Sequence, residues 1–445
     1  MIRIGTDMIR FRERCTEPQT WSRYAWLLNY LDRKVLFHSL NSETITCTED
    51  FLRRAASGDL TSDERLLLGE KGFLAAEEED TALVCRVQAA IERTPKPTTL
   101  FLIVTDICNL RCTYCYQNLP SFSKREVMPW ETIQRSVDEF LRVAGDDPKI
   151  FFYGGEPLLR EEDIRRTAVY LRETLGRHDI SIDIMTNGTV YKPDFIDFMK
   201  SYSIGLGISI DGDRDVMEHS RPSVNPTFDA FGQICAFFAA CKKVGIDCAA
   251  LCTITEHNVQ KIQETARFLV EELGTKRLTF NLQLRRYGDA IKIDEPYWHE
   301  IANRISETYL ALLKQDVLEG RTLRYLTGLT QGTYTVSECD AGYGIQIVVR
   351  PDGAVGPCQG YLYNDTSGFF VKKKDWTGIT STEPWQRFIE ATPINIPSCH
   401  RCPFVGTCGG GCCYDRTAPT VPNPNFCQYA RTLLFRIIHA LAEST

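Results

Sequence analysis

FLIVTDICNLRCTYCY, residues 101–116, decides how the rest of the chain is read. Phe101 to Val104 is an apolar run of strand length, the pattern of a buried strand. Cys108, Cys112 and Cys115 follow as C-x3-C-x2-C, with Tyr114 just before the third cysteine. Three thiolates on one loop at a strand's end can hold three irons of a cubane cluster and leave the fourth iron open for a ligand. The other reading is a structural zinc site, which is closed by four ligands and usually uses paired C-x2-C elements. With no histidine or fourth cysteine nearby, the spacing predicts an iron–sulfur site.

The rest of the composition is that of a soluble globular chain. Its 445 residues allow two to four domains, with 43% hydrophobic and 24% charged residues. A net charge of −7, from 51 basic and 58 acidic residues, gives no sign of a nucleic-acid-binding surface. No apolar run is long enough to span a membrane, and the N-terminus lacks the apolar core of a signal peptide. Eighteen cysteines without an export signal argue for metal ligation in a reducing cytoplasm rather than for disulfides.

Outward from the quoted stretch, three regions are expected: an N-terminal module over 1–92, a core over 98–310 and a C-terminal domain over 311–445. In the first, Tyr24–Tyr30 and Lys34–His38 read as strands. Helical runs follow at Thr48–Ala56 and at Ser62–Gly69, the latter capped by Thr61. Strands with short helices of this size fit a winged-helix-like module whose sheet edge takes up a peptide by β-addition; the alternative is a cap that only packs on the core. Cys15, Cys47 and Cys85 read as buried small hydrophobes. Pro95 and Pro97 mark the linker.

From about 100 to 310, strands alternate with amphipathic helices. The strands are Leu100–Thr105, Lys149–Tyr153, Ser181–Met185, Gly205–Ile210, Cys248–Thr253 and Leu278–Leu284. Alternation predicts a parallel sheet, and six units predict an α/β fold built on a partial (β/α)6 barrel. Function collects at the C-terminal ends of barrel strands, and here a distinctive motif follows each early one. The cysteine loop follows the first, Gly154-Gly155-Glu156-Pro157 the second, Thr186-Asn187-Gly188-Thr189 the third and Asp211-Gly212 the fourth. Gly154 and Gly155 permit close backbone approach, and Glu156 adds an acceptor. Arg221 can form the charge-assisted bond a carboxylate wants, or a surface ion pair. Asp211 reads as a ribose partner or a turn cap. Cys235, Cys241, Cys248 and Cys252 lack ligand spacing and read as core.

These motifs resemble the signature of the radical S-adenosylmethionine (SAM) enzymes. The resemblance implies a [4Fe–4S] cluster on Cys108, Cys112 and Cys115 whose open iron chelates SAM. It also implies SAM contacts from Tyr114, Gly154, Gly155, Glu156, Asn187, Ser209 and Arg221, and an electron donor such as flavodoxin or ferredoxin. Near the C-terminus, Cys339, Gly353 and Cys358 stand as C-x13-G-x4-C; Cys399, Cys402, Cys408 and Cys412 as C-x2-C-x5-C-x3-C; Cys427 closes the series. A β-hairpin is expected between Cys339 and Cys358. The series resembles the SPASM domain of radical SAM peptide modifiers, which implies two auxiliary iron–sulfur clusters. Cys339, Cys358 and Cys412 would hold the first, and Cys399, Cys402, Cys408 and Cys427 the second. The first then lacks a fourth ligand within the motif: either Cys413 completes it, or an iron is open to a substrate atom.

The resemblance leaves two reactions. One is maturation of a ribosomally made precursor peptide by a thioether or carbon–carbon crosslink, its leader bound by the N-terminal module. The other is anaerobic sulfatase maturation to formylglycine, whose enzymes typically carry an Asp after the cysteine matched by Cys358. Gln359 stands there and cannot accept a proton at neutral pH, which favours the first. No residue stands out as a general base, although Glu338, Asp340, Tyr343 and Tyr361 lie near the auxiliary cysteines.

Overall fold

The computed structural model describes residues 8–117, 126–284, 292–363 and 367–442. The N-terminal module is an antiparallel meander, β1 (Met8–Arg10), β2 (Ala25–Tyr30), β3 (Arg33–His38) and β4 (Thr44–Cys47), followed by helices Glu49–Ser57, Ser62–Glu70 and Glu77–Ala90. Thr48 caps the first helix, and Thr61 with Glu64 forms a capping box on the second. The third helix was not expected. Its start is the acidic string Glu77–Asp80, where negative charge complements the helix dipole and the Glu79 carboxylate accepts the Ala76 N–H at 2.7 Å.

One face of this module encloses its own core of Phe11, Trp21, Leu27, Leu36, Leu52 and Phe73. The other packs on the C-terminal region, with Tyr30 edge-on to Phe435 at 5.7 Å and Phe37 against Phe404 at 5.9 Å. The module is therefore not a cap on the barrel alone. Cys15 and Cys47 pack at the module core, but Cys85 is exposed on the third helix, against the expectation of burial.

β5 (Thr99–Thr105), β6 (Lys149–Gly154), β7 (Ser181–Thr186), β8 (Ile204–Ser209), β9 (Cys248–Ile254) and β10 (Arg277–Leu282) are parallel and adjacent in sequence order. β5 is almost wholly buried because both faces are covered, which is why it reads as a continuous apolar run. Helix Trp130–Val143 covers the sheet with Ile133, Val137 and Phe140, spaced along one face. The six-unit barrel is thus present, and the C-terminal third extends it at both edges. β11 (Leu318–Glu319) runs parallel to β10. β12 (Gln346–Val349) runs parallel to β5 and turns into antiparallel β13 (Val355–Gly356), the expected hairpin.

Helix Glu295–Leu313 follows the barrel, and a separate helix runs over Gly320–Gln331. The C-terminal helix Pro424–Ala442 packs along Glu295–Leu313. Cys241, Cys248 and Cys252 are buried in the barrel core, with Cys235 at its margin. Among the described residues no helix is long and apolar enough to cross a membrane.

Candidate metal and cofactor site

The cysteine loop leaves the C-terminal end of β5 and is held by its neighbours. Backbone N–H groups of Gly155 and Glu156 donate to the carbonyls of Thr105 and Ile107, each at 2.8 Å. A Cβ on Gly154 would stand 2.2 Å from the Thr105 oxygen, and one on Gly155 2.3 Å from the Ile107 oxygen. The close approach these glycines permit is thus made by the loop that carries the cysteines. Arg111 and Thr113 N–H groups donate to the carbonyls of Pro222 and Ser220, tying the loop to the segment after β8.

Cys108, Cys112 and Cys115 lie near enough to feel one another's charge, and burial pushes Cys108 up to about 11 and Cys112 to about 12. Thiols in this state become thiolates only when a cation is supplied, and a metal centre supplies it. The Leu110 N–H donates to the Cys108 sulfur at 3.4 Å and the Asn187 amide at 3.7 Å. The donor set fits a cluster held on three thiolates.

Around the loop, each predicted SAM residue has an intramolecular role. Glu156 is fully buried; its carboxylate accepts the Leu158 N–H at 2.9 Å, the Thr186 hydroxyl at 2.6 Å and the Asn187 N–H at 2.7 Å. Burial raises this carboxyl to about 7 despite those donors. It stitches β6 to β7. The Asn187 amide donates to the Asn109 side chain at 2.9 Å. Ser209 ends β8 beside Leu251 of β9. Arg221 is not a surface ion pair. It is buried and holds Asp211 through two hydrogen bonds, with its guanidinium 5.4 Å from the Tyr114 ring centre and Nη1 4.0 Å from the Cys112 sulfur.

Asp211 is the residue whose importance the sequence understated. Besides Arg221 it accepts the Tyr114 hydroxyl at 2.6 Å and the Thr253 N–H at 2.9 Å. Its position directly after a barrel strand was the signal. Tyr116 and Tyr153 were missed: their hydroxyls meet at 3.2 Å, both are half-buried, and Tyr153 feels the charge of Cys115 and of Cys358. The pair thus stands between the first cysteine set and the C-terminal one.

The C-terminal cysteines gather in two sets. Cys399, Cys402, Cys408 and Cys427 interact with one another, and burial pushes Cys399 up to about 12. Cys339, Cys358, Cys412 and Cys413 form the other: Cys412 feels the charge of the other three, and Cys358 that of Cys339 and Cys413. Among the described residues no three His, Cys, Asp or Glu side chains converge on the position of one metal ion. A cubane does not require that convergence, because each thiolate takes its own iron.

Of the residues near this set, Glu338 is bound by Arg321, by Arg324 at 2.8 Å and by the Tyr325 hydroxyl at 2.7 Å. Asp340 accepts the Thr99 hydroxyl at 3.1 Å, at the end of β5 opposite the cysteine loop. The Gln359 side-chain Oε1 accepts from the Gln346 side-chain Nε2 at 3.0 Å.

Residues 102–269 match the model of the Radical SAM superfamily, and the relatives similar to the chain include named maturating enzymes and a synthase, as expected of an enzyme. The chain is 25% identical over 336 residues to a cysteine-type anaerobic sulfatase-maturating enzyme of Clostridium novyi, covering 71% of this chain and 87% of that one. It is 22% identical over 420 residues to the radical SAM cyclopropyl synthase TigE of Paramaledivibacter caminithermalis, covering 87% and 82%. Its fold resembles that of anSMEcpe with bound AdoMet (TM-score 0.68, 19% identity, 78% of this chain and 99% of that one). It also resembles Streptococcus suis SuiB bound to precursor peptide SuiA (TM-score 0.56, 17% identity, 92% and 99%).

Proposed function

We propose that the protein is a peptide maturase that abstracts hydrogen from a ribosomally made precursor and installs a thioether or carbon–carbon crosslink. Cys108, Cys112 and Cys115 would hold a [4Fe–4S] cluster, which when bound and reduced by an external donor would supply the electron for reductive cleavage of SAM. The chain's own residues shape the site. Gly154 and Gly155 let the cysteine loop close on β6, Glu156 fixes the ends of β6 and β7, and the Asp211–Arg221 pair braces Tyr114. Asn187, Ser209 and the Gly154–Gly155 backbone are the proposed SAM contacts at the strand ends. The half-buried Tyr116–Tyr153 pair lines the space between the first and second cysteine sets, where the peptide's reacting residue would be oxidised after hydrogen loss. Two auxiliary clusters, on the two C-terminal sets, are the proposed electron acceptors. In the N-terminal module, the outer edge of β4 is the proposed docking strand for the leader.

The observation that carries this reading is Gln359. An amide held by Gln346 occupies the position where a formylglycine-forming enzyme would place its base. The sulfatase-maturase reading has the name of the C. novyi relative in its favour. Incubation with SAM, reductant, a cysteine-containing sulfatase peptide and the precursor peptides encoded beside the gene separates the two. The expected result is 5′-deoxyadenosine together with loss of hydrogen from a precursor and no aldehyde in the sulfatase peptide. Aldehyde formation reverses the assignment.

A further inference from the structure

We propose that Cys413 is the fourth protein ligand of the first auxiliary cluster, closing it with Cys339, Cys358 and Cys412. This rests on the reading of that region as a cluster site and settles what the cluster can do there.

Cys339, Cys358 and Cys413 pack in one small compartment with Ala341, Tyr361, Phe369, Phe370 and Phe388. Two turns bring them together. After Cys358, the Gly360 N–H donates to the Cys358 sulfur at 3.3 Å, and a Cβ on Gly360 would stand 2.6 Å from the Tyr414 ring. The 358–361 turn is thereby pressed onto the Cys413–Asp415 turn, and the Tyr361 hydroxyl donates to the Cys413 carbonyl at 3.4 Å. A thiol serving only as a small core residue would not need two further thiols beside it.

Adjacency to Cys412 is no obstacle. One zinc ion would need both sulfurs about 2.3 Å from a single centre. A cubane offers separate irons at its corners, so neighbouring residues can serve different ones. The extra negative charge also has a counterpart. The Arg416 guanidinium is buried below this turn, donating to the Gly410 and Ala391 carbonyls at 2.8 and 2.7 Å, a fixed positive charge beside the cysteine set. A cluster closed in this way has no corner for a substrate thiolate. The peptide would be positioned by protein side chains, and the cluster would serve as an electron acceptor alone.

The test uses the full-length, anaerobically reconstituted protein with Cys108, Cys112 and Cys115 replaced by Ala, so that only auxiliary iron is counted. This background should hold about eight irons per chain, with an electron paramagnetic resonance spectrum unaffected by added cyanide. Cys413→Ala should yield a three-iron signal on mild oxidation or a cyanide-shifted spectrum. Cys413→Ser, which differs by one atom, should keep the iron and shift the spectrum without cyanide. Iron and spectra unchanged in both variants, or cyanide binding to the background protein itself, would overturn the proposal. Adding Cys339→Ala, Cys358→Ala and Cys412→Ala to the background tests the underlying reading: undiminished iron there would refute the auxiliary site as a whole.

Discussion

Arg221 grips Asp211 through two parallel hydrogen bonds, Nε to Oδ2 at 2.9 Å and Nη2 to Oδ1 at 3.0 Å, with both side chains out of solvent. The pair joins the end of β8 to the segment that supports the cysteine loop, and Tyr114 hangs from the same carboxylate.

Removing one partner strands a buried charge, so Arg221→Met should cost about 3–5 kcal/mol in anaerobic urea denaturation. The double variant Asp211→Leu/Arg221→Met should lose clearly less than the sum of the two single losses. Additive losses would show that the two do not act as a unit. If Arg221 served mainly the carboxylate of SAM, Arg221→Met would weaken SAM binding and leave stability intact.

Glu156 accepts three hydrogen bonds and offers none, so an amide in its place must turn a donor toward another donor. Glu156→Gln should therefore destabilise the barrel by about 1–3 kcal/mol. Hydrogen exchange at Asn187 and Leu158 should rise with it. Wild-type protection at both amides would count against this role.

The barrel was legible because its strands are buried on both faces and its helices show one apolar stripe, so two periods alternate cleanly. The cysteine sets were legible because ligation constrains spacing. What a sequence does not display is which polar groups consume each other. Glu156, Asn187 and Arg221 stood out through their motifs. Their partners Thr186, Asn109 and Asp211 come together only through the sheet register. The Tyr116–Tyr153 contact bridges a loop and a strand 37 residues apart. β1 and β4 escaped notice because strands of three and four residues carry too little pattern. β11 and β12 are parallel partners recruited from beyond the core, which no local signal announces.

His38 gives the N-terminal module an acid limit. Its Nδ1 accepts the Leu40 and Asn41 N–H groups at 3.4 and 3.3 Å, so Nε2 carries the proton and donates to the Ser22 hydroxyl at 3.2 Å. Ser22 in turn donates to Asp80 at 2.6 Å, all three residues being buried. Burial pushes the imidazole down from 6.5 to about 4. With the folded value below the unfolded one, the stabilisation is intact above pH 6.5 and is lost as pH falls through 4, by up to about 3 kcal/mol. Thermal scans followed by Trp21 and Trp26 fluorescence should show this loss. His38→Asn should flatten it, and an identical acid limb in the variant would rule His38 out as its source.

Gly155→Ala tests whether the turn after β6 holds the first cysteine set in place. The new methyl group would lie 2.3 Å from the Ile107 oxygen and 2.5 Å from its carbonyl carbon. Backbone cannot yield as a flexible side chain can, so either the Gly155–Thr105 and Glu156–Ile107 hydrogen bonds break or residues 105–108 move outward. Both displace Cys108 relative to Cys112 and Cys115. The C-terminal sets lie on other segments and should be untouched. The anaerobically reconstituted variant should therefore lose about four irons and its SAM-dependent spectral change, while the auxiliary signals persist. Full iron with normal 5′-deoxyadenosine release would mean that the loop tolerates the methyl group and that its position is set elsewhere.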